Sequence, residues 1–469
     1  MTSSVFTTSA VDELAGSFAG ELLRDGDDGY EEARKIWNGY FDRRPGLIAR
    51  CSGVEDVRAA VNFGRENGLS VAVRAGGHSA QGFGVWDDAL VIDLSPMKGI
   101  EVDPEARTVV AQAGLTWGEF DAATQEHGLA VTGGRFSTTG IAGLTLGSGS
   151  GWIERRCGLT ADSLLSADVV TADGRVLTAS ATENQELFWG LRGGSGNFGV
   201  VTSFTYQLHQ IGPLVYGGLL VCLPERAPEV LRFLREYMAD APDDLGCAGA
   251  FISAPPEPFV PKEMHFAPIF GLVVCWTGEL EEGERVLAPI REVAQPVMDM
   301  VQPIPYTALQ SMLDGGAPYG TRAYMKAEFL PGLEDEVIEV LAAHGASRPG
   351  PMVQLLLEPM GGAMTRVGPD DTALGRRDAP WCYHALAMWM DPSDETAETH
   401  IAWARGLAAA MAPHTTTGAY LNFTSDQGEE RVRDTYGAER FERLVALKDR
   451  YDPANLFHLN QNIRPSSPA

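Results

Sequence analysis

Two glycine-bearing segments constrain this chain more than any other feature. The first, Arg74-Ala-Gly-Gly-His-Ser79, sets a histidine beside two glycines. The second, Thr138-Thr-Gly-Ile-Ala-Gly-Leu-Thr-Leu-Gly-Ser-Gly-Ser-Gly151, holds five glycines in fourteen residues. It runs on to Cys157 in Glu154-Arg-Arg-Cys-Gly-Leu-Thr-Ala-Asp162. Glycine lets backbone come close to a ligand and adopt positive φ. Backbone N–H groups at that density surround phosphates or pack against a flat ring. Ile141, Leu144 and Leu146 want burial, which argues against a free loop, and no Walker lysine is present. Together the segments imply a large planar ligand approached by backbone on two sides.

At 469 residues the chain exceeds one hydrophobic core, and two domains are expected. A net charge of −27 disfavours nucleic-acid and anionic-membrane partners, which need a basic footprint. The first residues lack a basic and apolar leader, and no apolar run is long enough to span a bilayer. A cytoplasmic protein acting on a small molecule, as monomer or homodimer, is the expectation. Cysteines 51, 157, 222, 247, 275 and 382 lie far apart with no CxxC, so neither a disulfide framework nor a metal site is read. The sequon Asn422-Phe-Thr424 is then taken as chance.

Ser52-Gly-Val-Glu55 reads as a capping box opening a helix that Gly68 closes. Leu69, Val71 and Val73 alternate as a strand, so Arg74 to Ser79 leaves a strand end. Residues 100–102 and 108–111 flank an Asp-Pro turn as a hairpin, and Thr116-Trp-Gly-Glu119 is a second capping box. Asp173-Gly174 turns strand 167–171 into 175–177, and 200–206 is a further strand. Gly212-Pro213 marks a boundary. Beyond it, strands at 218–222, 269–276, 353–357 and 383–389 interleave with helices at 280–294, 333–343 and 395–411. A sheet covered by helices on one face fits, and a last helix spans 440–451. The fold class is α+β.

Gly194-Ser-Gly-Asn-Phe-Gly199 matches GxGxxG, but a helix-like segment precedes it and a β-rich run follows. That context is the reverse of a dinucleotide fold, so an NAD site is rejected; a turn gripping a nucleotide and a purely structural turn both stay open. His78 is read either as a ligand-facing residue or as a hydrogen-bonded turn histidine. For Cys157 the alternatives are a thiolate activated by Arg155 and Arg156 or a buried small residue.

The two glycine segments, the run into Arg156-Cys-Gly-Leu-Thr-Ala-Asp162, residues 194–202 and Pro453-Ala-Asn-Leu-Phe-His-Leu-Asn-Gln-Asn-Ile463 resemble the berberine bridge enzyme-like group. That group lies within the vanillyl-alcohol oxidase / p-cresol methylhydroxylase superfamily and includes gluco-oligosaccharide oxidases, aclacinomycin oxidoreductase and 6-hydroxy-D-nicotine oxidase. The resemblance runs from about Pro45 to Arg464. It implies a two-lobed FAD-binding domain of the p-cresol methylhydroxylase type (1–212), an inserted substrate domain (213–415) and a C-terminal return to the first domain (416–469). It also implies bicovalent FAD, with His78 on the 8α-methyl and Cys157 on C6. Arg74, Gly76, Gly77, Ser79, Thr139, Gly140, Gly143, Gly147, Gly199 and Val201 are carried over as cofactor-binding residues. Asn460 and Asn462 would meet the pyrimidine edge. One departure is Gly147-Ser-Gly-Ser-Gly151, where relatives show an unbroken glycine triplet.

A flavin accepts two electrons, and the protein supplies orientation and a base. The expected reaction is oxidation of a CH–OH carbon of a sugar, glycoside or secondary-metabolite alcohol, with O2 as acceptor and H2O2 released. The expected base is Tyr420 in Gly418-Ala-Tyr-Leu-Asn-Phe423, where a strand would put Tyr420 and Asn422 on one face. A free tyrosine has a pKa near ~10, and each unit of lowering needs roughly 1.4 kcal/mol. Glu358 is a candidate assistant and Lys326 a candidate for amine chemistry. Trp276, Trp381, Tyr383 and Trp389 are read as a sugar or polyketide platform or as core. The rivals are an amine oxidase or oxidative cyclase, a dehydrogenase that reacts poorly with oxygen, a flavin-holding protein without turnover, and a nucleotide-binding module.

Overall fold

The computed structural model describes residues 8–256, 260–375, 377–416, 418–425 and 428–467. The fold is α+β, as expected. A parallel β-α-β unit opens it: Leu47–Arg50, helix Val54–Glu66 and Val71–Arg74, with Leu90–Asp93 hydrogen-bonded between the two strands. Glu21–Leu23 adds an antiparallel edge. Helix Val54–Glu66 starts from Gly53 and not from a Ser52–Glu55 box. The Ser52 N–H and hydroxyl both donate to Asp56 Oδ2 instead, at 2.8 and 2.6 Å, because that carboxylate is buried one turn in. The Thr116–Glu119 box forms as read.

A second, antiparallel sheet orders Ile100–Asp103, Thr108–Gln112, Val200–Gln207, Leu164–Val170 and Val176–Ser180. Both expected hairpins are in it. Strand Val200–Gln207 leaves the GxGxxG turn, which helix Gln185–Leu191 enters, so the reversed context holds.

The third sheet has eight strands, all drawn from Leu214 to Trp389 and all antiparallel. Two of its long strands, Leu245–Ser253 and Arg322–Leu330, are not signalled by alternation because nearly every residue in them is buried. Helices Ala227–Asp240, Leu280–Ala294, Asp335–Ala346 and Asp394–Met411 cover one face, over Leu355, Leu357, Trp381, Tyr383 and Trp389. The opposite face carries Ala250, Met325, Leu356, Leu386 and Met388, which cluster with Trp37 and Ala80 of the first lobe. Strand period two decides which side chains reach the space between the lobes.

Helix Ala438–Tyr451 returns the chain to the first lobe. Its Lys448 is fully buried and donates to Asp452 Oδ2 at 2.7 Å and to the carbonyls of Asn197 and Phe457, each at 2.9 Å. Asn197 in turn bonds the Gln461 carbonyl and the Ile463 N–H. These bonds fix where residues 457–463 run. Removing Lys448 leaves Asp452 as an uncompensated buried charge. Lys448→Ala is expected to destabilise the protein by about 3–5 kcal/mol, measured by denaturant unfolding.

Candidate active site

A cavity of about 300 Å³ lies between the lobes. The loop after Val71–Arg74 forms one wall, and the loop before helix Ile141–Leu146 forms the next. The two walls touch backbone to backbone: a Cβ on Gly76 would collide with Gly140 N, and one on Gly140 with Gly76 N. Gly77 has φ +68°, which turns the chain so that His78 follows. Arg74, Gly76, Gly77, His78, Ser79, Thr139, Gly140, Gly143, Gly199, Val201 and Asn460 all line the cavity.

His78 stacks on the buried Trp37, ring centroids 5.2 Å apart and planes 17° apart. Its Nε2 is 3.0 Å from Thr138 Oγ1 and its Nδ1 is 3.5 Å from Thr139 Oγ1. Desolvation pushes its pKa down to about 3, so the imidazole is neutral at physiological pH. A neutral imidazole keeps a nucleophilic lone pair.

Three residues expected at the cofactor do not line this cavity. Cys157 is buried with Trp152, Ile153, Val273, Cys275 and Tyr306 in a separate apolar cluster. Burial pushes its thiol up to about 12 despite Arg156, so it is not an activated thiolate. The aromatic Phe136 occupies the cavity wall on the Thr138 side. Gly147 makes room for the Asn422 amide, which a Cβ there would strike. Asn462 lies just past the lining, with its Oδ1 buried and unpartnered. The departing serine, Ser148, has φ +90°, a conformation that favours glycine, and its Oγ is likewise buried without a partner.

The substrate-domain sheet closes the cavity. Gln354, Leu356 and Glu358 from one strand and His384 and Leu386 from the next all point to it. Glu358 Oε2 is 3.0 Å from Arg135 Nη2 and 3.0 Å from His384 Nε2, while Oε1 is buried with no partner. Burial works against the Glu358 carboxylate, but Arg135 and His384 outweigh it and hold its pKa below the usual value. Arg135 and His384 escaped the sequence reading. Their signals were a lone arginine beside Gly133-Gly134 and a lone titratable residue inside an apolar strand.

Tyr420 and Asn422 do not sit on a strand. Ala419 bridges to Glu328, and Leu421–Phe423 then forms a 3-10 turn. The turn carries Asn422 to the cavity wall; Tyr420 does not line it. The Tyr420 hydroxyl accepts from Asn422 Nδ2 at 3.4 Å, with its ring between Phe329 and Phe423. Burial and then Glu154 push its pKa up, opposite to what a base requires. Lys326 shares a strand face with Tyr324, and it is Met325 that enters the cavity. Lys326 Nζ donates to the Ser425 carbonyl at 3.1 Å. Trp276, Trp381, Tyr383 and Trp389 lie under the helices and form core, not a platform.

Known proteins are similar to this chain over nearly its whole length. A family profile described as FAD binding domain matches residues 45–180, and one described as Berberine and berberine like matches residues 419–464. An FAD-linked oxidoreductase of Dictyostelium discoideum is 32% identical over 463 residues, covering 98% of this chain and 97% of that protein. The chain belongs to the berberine bridge enzyme-like FAD-linked oxidoreductases. (R)-6-hydroxynicotine oxidase of Paenarthrobacter nicotinovorans is 30% identical over 467 residues, covering 96% and 97%. The structure of 6-hydroxy-D-nicotine oxidase from Arthrobacter nicotinovorans matches with TM-score 0.86 at 29% identity, covering 96% of this chain and 99% of that one. Glucooligosaccharide oxidase from Acremonium strictum matches with TM-score 0.86 at 22% identity, covering 98% and 100%, a likeness of fold.

The residues of this FAD-linked oxidoreductase fit the cofactor. The cradle at Gly76 and Gly140 has no room for side chains. Buried Arg74 Nε, Asn460 Oδ1 and Asn462 Oδ1 have no partner within the protein, as expected where a polar ligand belongs. Gly76→Ala should push the two loops apart where they meet and yield protein without bound flavin, read as loss of visible absorbance in a variant whose circular dichroism is unchanged.

Proposed function

We propose that this protein is an FAD-linked oxidase that oxidises a CH–OH carbon of an apolar, secondary-metabolite type of alcohol, with O2 reduced to H2O2. FAD held by the cradle supplies the two-electron acceptor. The observation that carries the reading is the Glu358 carboxylate: ionised, lining the same cavity as His78, with one oxygen free of protein partners. As the alcohol loses a hydride equivalent, its hydroxyl proton needs an acceptor, and the Glu358 carboxylate, which lines the same cavity, is the group we assign to that role. Tyr420 keeps a supporting position through Asn422. The substrate side of the cavity is apolar, with Trp37, Phe136, Met325, Leu356, Leu386 and Phe423. That lining suits a hydrophobic ring system better than a sugar, which would need more polar partners. A neutral, half-buried His78 supports a single covalent link at this residue. Cys157, buried in a separate apolar cluster, is not assigned a second link of the 6-S-cysteinyl kind named for glucooligosaccharide oxidase.

A second reading, oxidation of a C–H beside nitrogen, is favoured by the 30% identity with (R)-6-hydroxynicotine oxidase and by an anionic carboxylate facing the cavity. Anaerobic mixing with panels of apolar secondary alcohols and cyclic amines separates the two. Bleaching of the flavin by amines alone would overturn the alcohol reading. Glu358→Gln is expected to slow bleaching by roughly 10²–10⁴-fold while leaving the flavin spectrum in place. Peptide mass spectrometry of acid-precipitated protein should find flavin on the His78 peptide and an unmodified Cys157 peptide; flavin on both would restore the double link.

A further inference from the structure

Arg135, Glu154, Glu358 and His384 form a charged cluster in which each residue is at most 7% exposed. They come from four places in the chain. Arg135 sits in the loop before the glycine run, and Glu154 on the short helix Glu154–Cys157. Glu358 and His384 lie on neighbouring strands, two positions apart in register, since His384 pairs with Leu356, so they share a face. Arg135 is held from its own lobe: its Nη2 donates to Ser150 Oγ at 3.1 Å, and its guanidinium lies over the Trp152 ring, 4.9 Å from the centroid. The same Nη2 crosses to the other lobe to meet Glu358 at 3.0 Å. Glu154 is tied locally, accepting from Gly151 N at 3.0 Å.

We propose that Arg135 is a positioning residue that reaches across the lobes to hold the Glu358 carboxylate at the cavity, with Glu154 as its protonated neighbour. The inference rests on the reading of Glu358 as the proton acceptor. Arg135 contacts Glu358 and acts on Glu154 only through its field, and two buried carboxylates near one another do not both ionise freely. Glu358 wins because it alone also meets His384. Burial, with Glu358 repelling it, raises Glu154 although Arg135 opposes the shift; in Glu358 the balance falls the other way. Environments that separate two carboxyl groups in this manner assign one of them as base.

The other groups facing Glu358 do not compete with it. Cys382 is on the neighbouring strand and Cys247 on strand Leu245–Ser253; burial pushes both thiols up, Cys247 to about 12. Tyr420, on the turn beside Glu154 and Arg135, is also pushed up by burial. All three stay neutral while Glu358 titrates, so the charge set directly against Glu358 is that of Arg135.

The test is an infrared pH titration of the holoenzyme without substrate, following the carbonyl band of protonated Glu358, identified by its loss in Glu358→Gln. Arg135→Met should move the midpoint up by roughly one to three pH units. Arg135→Lys should hold it near the wild-type position, and Glu154→Gln, which replaces a group already protonated there, should leave it in place. A midpoint unmoved in Arg135→Met overturns the proposal. If that variant fails to fold, Arg135→Gln decides by the same criterion, and an unmoved midpoint there overturns the proposal as well. Unimpaired bleaching of Glu358→Gln by the alcohol panel would remove Glu358 as base, a separate outcome that the titration does not depend on.

Discussion

The contact between Gly76 and Gly140 is the constraint on which the site depends. Two loops from different parts of the first lobe meet there with no side chain between them. That closeness leaves His78, Thr138 and Thr139 grouped on one side and a run of backbone facing the cavity. Neither loop could hold this position alone. One is anchored by the parallel strand Val71–Arg74, paired with Leu90–Asp93, and the other by helix Ile141–Leu146, whose Ile141 packs in the core.

The second lobe contributes chemistry through its sheet. Helices cover one face, and the other is turned toward the cofactor lobe. Alternation along two neighbouring strands therefore sends Glu358 and His384 inward and keeps Leu355, Leu357 and Tyr383 under the helices. The same rule removes Lys326 from the cavity and inserts Met325. A buried carboxylate in this position would be costly without partners. Arg135 and His384 supply them at one oxygen, and the other is buried without a partner among the described residues.

Much of this was legible in the chain. The glycine loops, His78, the hairpins and the Thr116 capping box all follow from local chemistry: positive φ, close backbone approach and short-range hydrogen bonds. Glu358 stood out as a charge ending an apolar run. Cys157 misled because two neighbouring arginines suggest activation, whereas burial among Trp152, Val273 and Tyr306 decides the state of the thiol. Tyr420 and Asn422 misled because alternation was assumed where the chain makes a 3-10 turn.

The sequence by itself determined the family, the cofactor cradle and the α+β architecture, since these rest on residue types whose conformational freedom is set by neighbours in the chain. Only the tertiary structure decided which titratable groups meet. Arg135 and Glu358 are far apart in sequence, and their pairing exists because two lobes close on one another. Burial and charge at such a meeting are properties of the folded surroundings, which no local pattern encodes.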